Sequence, residues 1–103
     1  MNNKRKELAF DIFYNQFKVM ETYNFILTVM KSCKTVTQLG VAYRWGIGAI
    51  NGLYEKICHY LNNKYRFSTF KEIDLELYAM NRIMDIEDDM ERTYKKLRVE
   101  IPE

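Results

Sequence analysis

Thr35-Val36-Thr37-Gln38-Leu39-Gly40-Val41-Ala42-Tyr43-Arg44-Trp45-Gly46-Ile47-Gly48-Ala49-Ile50-Asn51-Gly52-Leu53-Tyr54-Glu55-Lys56-Ile57-Cys58-His59-Tyr60 carries the strongest structural signal in the chain. Val36, Leu39, Tyr43, Gly46, Ile50, Leu53, Ile57 and Tyr60 recur at alternating steps of three and four, which puts them on one side of an α-helix. Thr35 immediately precedes the series, and Gln38 follows it by three residues. A hydroxyl and an amide at this spacing can satisfy backbone N–H groups at a helix start, the pattern of a capping box. One helix is therefore predicted from Thr35 to about Asn62. All four glycines of the protein, Gly40, Gly46, Gly48 and Gly52, fall inside it. Each costs a helix interior about 1 kcal/mol relative to Ala, so packing must offset them. Gly48 and Gly52 lie one turn apart with Ala42 and Ala49 nearby, which predicts close approach of a neighbouring helix; a kink or turn at Gly46–Gly48 is the alternative.

Toward the N-terminus, Ala9, Phe13, Gln16, Met20, Tyr23, Leu27 and Met30 keep the same spacing and predict one helix from about Lys4 to Lys31. Phe10, Ile12, Phe17, Val19, Phe25, Ile26 and Val29 widen its apolar face beyond what one neighbour covers. Two neighbours are needed, or a partner chain, so a homodimer through this face is one expected arrangement. Toward the C-terminus, Asn62 to Phe67 reads as a connection, and Thr69-Phe70-Lys71-Glu72 repeats the capping pattern. The third helix takes an early stripe of Ile73, Leu77, Met80 and Met84 and a later one of Met90, Tyr94, Leu97 and Ile101, with a phase shift near Ile83 to Ile86. Pro102 closes it. Two-residue alternation and hairpin turns are missing, and the lone Asn51-Gly52 sits inside the helical stripe. The expectation is an all-α fold: a small bundle of three or four helices, the central one long and glycine-containing, forming a single domain over 1–103.

With 48% apolar residues and 15 aromatics among 103 residues, the chain can build a core without staples. Cys33 and Cys58 form neither a CxxC pair nor a secreted framework, so both read as free thiols. The basic start Lys4-Arg5-Lys6 is followed by apolar residues interrupted by Asp11, Asn15, Gln16, Lys18 and Glu21, so neither a signal-peptide core nor a membrane span is expected, and the location expected is cytoplasmic. Charge is divided along the chain: residues 1–69 carry ten Lys/Arg against four Asp/Glu, and 70–103 carry six against ten. The halves attract each other or offer different faces to partners.

Catalysis finds little support. His59 is the lone histidine, and neighbouring Cys58 points about 100° away on a helix, so the pair cannot readily share a metal ion. Gly46-Ile47-Gly48 lacks the strand and third glycine of a dinucleotide loop. No enzyme activity and no cofactor or metal is expected. Asp85-Ile86-Glu87-Asp88-Asp89-Met90-Glu91 is the densest charge feature, with Asp88–Arg92 and Glu91–Lys95 as favourable four-residue pairs. It reads as a solvated face or as an anionic strip, Asp85, Glu87, Asp88, Asp89 and Glu91, that docks on a basic groove of another protein. Arg44, Trp45 and Tyr54 are further candidate anchors, because aromatics and Arg dominate interface energetics. A helix-turn-helix over Leu39 to Glu55 is the competing expectation, with Ala42, Gly46 and Ile47 matching its first half and Arg44, Asn51 and Lys56 as the residues meeting DNA. Its second half fails, because apolar positions fall on Gly52 and Glu55.

Ile26 to Trp45, with its Ser-Cys-x-Thr-x-x-Gln-Leu-x-x-Ala run from Ser32 to Ala42, resembles a pattern in small proteins of phages and mobile elements. It covers about a fifth of the chain and specifies a helix end, a tight joint and a capping box. The resemblance implies a phage-type accessory protein that binds and blocks a host enzyme or defence complex, anti-CRISPR proteins among them; it defines no site residue. The expected function is a non-catalytic protein-interaction module whose partner is another protein or complex, one that handles nucleic acid among the options. A DNA-binding regulator is the first alternative, and a structural subunit of a homo-oligomer the second.

Overall fold

The computed structural model describes residues 3–64 and 72–102, with side chains for 7–64 and 75–102. Among the described residues the chain is all-helical and contains no strand. Helix α1 spans Asn3–Phe10 and runs into a π-helical segment, Asp11–Gln16; α2 spans Val19–Ser32, α3 Val36–Lys64 and α4 Glu72–Glu100.

The start of α3 follows its sequence. The Gln38 N–H donates to Thr35 Oγ1 at 3.1 Å, and Gln38 Oε1 accepts from the Lys34 N–H at 2.9 Å, one residue further back than in a reciprocal capping box. The short joint at Cys33, extended at φ −69 and ψ 138, turns α2 back along α3. Contacts then pair residues in antiparallel order. Phe25 meets Trp45, Phe17 meets Tyr60, and Ala9, Ile12 and Phe13 share a small void with Ile57 and Leu61. Helix α4 runs antiparallel to α3 in the same way: Tyr94 stacks on Tyr43 with ring centroids 4.5 Å apart, and Leu75 and Ala79 face Ile57 and Leu61. The result is a rod-shaped helical bundle of 55 × 22 × 18 Å. The second capping pattern begins at Thr69, outside the described residues.

Gly46 is where the layers meet. A Cβ there would lie 2.5 Å from Ile26 Cγ2 on α2 and 2.8 Å from Met90 Cε on α4. The close approach expected at Gly48 and Gly52 is not found: among the described residues nothing lies within 4 Å of a Cβ at either, and α3 passes through all four glycines without a turn.

The predicted helix from Lys4 to Lys31 is broken at Phe17 and Lys18, where Lys18 adopts a left-handed backbone with φ 51. The physical reason is Gln16. A straight helix would keep it on the buried stripe between Ile12 and Val19, and burying an unpaired amide costs about 1–3 kcal/mol. The widened turn and the left-handed residue, at about 1–2 kcal/mol, reset the phase instead. Ile12 and Phe13 before the break, and Val19, Tyr23, Ile26 and Met30 after it, are buried, while Gln16 is exposed. Met20 and Leu27, expected on the stripe, are half-buried.

Helix α4 also departs from expectation. Leu75, Ala79, Ile83, Ile86 and Met90 are buried and continue into the half-buried Tyr94, Leu97 and Ile101 without a phase shift, whereas Leu77, Met80 and Met84 face solvent. Extending the Leu77 series by further turns reaches Glu87, Asp88 and Glu91, so burying it would have buried carboxylates. The remaining core is apolar, with Phe13 set edge-on to Tyr14 and Tyr78. Its one orphan among the described residues is the Tyr23 hydroxyl, buried without a hydrogen-bond partner.

Candidate interaction surface

Two helical spacings converge on one side of the rod. On α2, Phe25, Val29 and Ser32 share a face; on α3, Thr37, Gln38, Val41 and Trp45 do. With Cys33 and Ala42, all but Phe25 line an open groove of about 510 Å³. Phe25 stands at its edge, its ring edge-on to Trp45 with centroids 5.9 Å apart. Phe25 is 60% exposed, Val41 54% and Trp45 45%, so large apolar side chains are displayed here rather than used in the core. Three of the groove's polar groups are engaged within the chain: Ser32 Oγ donates to the Val29 carbonyl at 2.7 Å, Cys33 Sγ donates to the same carbonyl at 3.3 Å, and Gln38 Oε1 accepts from the Lys34 N–H. What the groove offers a partner is chiefly apolar surface.

Arg44 and Tyr54, grouped with Trp45 by sequence, are placed elsewhere. Arg44 is exposed but lines a second depression, about 360 Å³, with Tyr43, Ile47, Glu87, Asp88 and Glu91. Tyr54 is half-buried against the core and hydrogen-bonded to Cys58, which raises its pKa, with burial adding to the rise.

The acidic strip is solvated and largely paired. Arg82 reaches Asp85 at 2.9 Å and Lys95 reaches Glu91 at 3.2 Å, the latter as the spacing predicts. Arg92 pairs with Asp89 at 3.4 Å instead of Asp88. Exposed pairs of this kind contribute about 0–1 kcal/mol each. Burial raises the pKa of Glu87, and neighbouring Asp88 raises it further. Burial likewise raises that of Tyr43, with Glu91 and Glu87 adding to it.

The helix-turn-helix alternative meets a geometric obstacle. Arg44, Asn51 and Lys56 are exposed, but α3 is continuous through Gly46, so the two-helix corner that the motif requires is absent. Arg44 also sits beside three carboxylates, a poor field for phosphate. His59 bonds Asn63 at 3.0 Å on an open depression whose walls, Gly52 to Lys64, all belong to α3. Among the described residues no three His, Cys, Asp or Glu side chains converge on a metal position, and no helix is long and apolar enough to cross a membrane.

Sequence reasoning missed Phe25 and Val41 as surface residues. Both sit within apolar runs, and their exposure depends on which side of α2 and α3 the third layer covers. No protein-family model, curated protein or solved structure matches the chain.

Proposed function

We propose that this chain is a non-catalytic protein-interaction module that acts by occupying a surface of another protein. The carrying observation is the exposed Phe25–Trp45 pair beside a chiefly apolar groove. Large aromatics displayed at a concave apolar surface are the usual anchors of protein interfaces. In this reading α3 is the long, glycine-containing centre of the bundle, and the acidic residues of α4 form a second, electrostatic face. Blocking a host enzyme or defence complex is the form of action that the resemblance to small phage proteins supports.

The test is affinity capture from host lysate, with and without nuclease, comparing the wild-type chain with Trp45→Ala and with Asp88→Lys/Glu91→Lys. Removing a central Trp anchor is expected to weaken capture about thirtyfold while helical circular dichroism is retained. Capture indifferent to Trp45 and to the carboxylates overturns the reading. Nuclease-sensitive recovery would promote the DNA-binding alternative.

A further inference from the structure

From Thr22 to Tyr54 the chain carries Lys31, Lys34 and Arg44 and not one Asp or Glu. This run builds both walls of the groove. Lys31 and Lys34 bracket Ser32 and Cys33 at the groove's corner. Both are exposed, and among the described residues neither has an ion-pair partner. Arg44 lies on the other flank of α3, in the depression where Tyr43 and Ile47 meet Glu87, Asp88 and Glu91 of α4, and so belongs to that acidic site rather than to the groove. One corner of the apolar groove is thus flanked by two cations, and among the described residues no Asp or Glu lines it.

Building on the interaction-module reading, we infer that the groove takes one amphipathic helix of a partner protein, its apolar stripe bordered by Asp and Glu. Two helical walls form the natural seat for a third helix, and α2 presents Phe25, Val29 and Ser32 over about 10 Å, the reach of anchors at i, i+4 and i+7. Strand addition has no basis here, because the walls are helices with internally paired backbones and expose no sheet edge. Two cations are few for tracking a nucleic-acid backbone, and a concave groove does not match a flat lipid surface. Charge complementarity at the margin sets which helix is accepted, since rim charges steer encounter and exclude like-charged competitors.

Trp45 is the only tryptophan, so its emission reports the site directly. The probes are three synthetic peptides: a Leu/Phe-striped helix edged with Glu, the same stripe edged with Lys, and a scrambled Glu peptide without the stripe. The Glu-edged peptide is expected to blue-shift Trp45 emission and to bind about tenfold more tightly than the Lys-edged one, with the advantage shrinking in salt. Lys31→Glu/Lys34→Glu, both at exposed positions, should reverse the preference while circular dichroism is unchanged. Equal binding of all three peptides, preference for Lys edges, or no binding overturns the inference. So does a blue shift produced only by phosphatidylglycerol vesicles or by a poly-dT oligonucleotide. Should the peptides fail while lysate capture still depends on Trp45, the interaction reading stands and only the acidic helix is removed; loss of Trp45 dependence removes both.

Discussion

The four glycines of α3 are chemically identical and structurally unlike. Gly46 lies where Ile26 and Met90 converge, and a Cβ there must displace the branched Ile26 side chain, since the Met90 methyl is the more yielding of the two. Overpacking costs about 1–3 kcal/mol and the gain in helix propensity returns about 1, so Gly46→Ala is expected to destabilise the fold by roughly 1 kcal/mol. Gly48 and Gly52 face open space, so Gly48→Ala and Gly52→Ala should each stabilise it by up to about 1 kcal/mol. Urea denaturation of the three variants checks both signs. Destabilisation by Gly48→Ala would show that something covers that face in solution.

At the level of the element, the first helical layer departs from its own periodicity because one polar residue lies on the stripe. Lys18 carries the left-handed backbone and has no side-chain cap, so the joint rests on the packing of Phe17 against Tyr60 and on the hydrogen bond from the Phe17 N–H to the Ile12 carbonyl. Lys18→Gly is expected to raise stability by up to about 1 kcal/mol, because glycine adopts this backbone without a Cβ clash. Lys18→Val should lower it by a similar amount or more. A thermal-denaturation pair that orders Gly above Lys above Val confirms the break; the opposite order would mean that the layer is a straight helix. Helix α4 resolved a parallel conflict without a break, because its alternative stripe of Leu75, Ala79, Ile83, Ile86 and Met90 runs past the carboxylates.

For the whole molecule, shape governs what is displayed. The radius of gyration is 16.0 Å, against about 13 Å for a compact domain of this length. A rod three helices thick covers little more than one stripe per helix, which leaves Phe25, Trp45, Leu77 and Met84 outside. Three half-buried tyrosines packed against the core resist ionisation. Burial pushes Tyr78 up to about 12, with the adjacent Tyr14 phenol and its hydrogen bond adding to the rise, and Tyr43 and Tyr54 are raised as well. In each case the folded state holds its proton after the unfolded chain, near pH 10, has released it. Stability is therefore insensitive to these groups below about pH 10 and falls as pH rises toward 12. Tyr78→Phe should shallow that alkaline loss in urea titrations at pH 9 and 11; an unchanged slope would place the Tyr78 phenol in solvent.

Helical content, the start of α3 and most of its buried stripe were legible in the order of residues, because periodicity and capping act within a turn or two and need no knowledge of neighbours. Leu39, Gly46, Ile50 and Ile57 face inward as their spacing requires. The break at Lys18, the choice between the two stripes of α4 and the separation of Arg44 from Trp45 were not legible. Each depends on comparing the cost of burying a polar side chain with the cost of bending or rotating a helix, and that comparison is set only when three layers are stacked. The exposed groove belongs to the same class: sequence marks Trp45 as apolar and large, but only the packing of α4 against the Tyr43 and Gly46 side of α3 leaves Trp45 facing water.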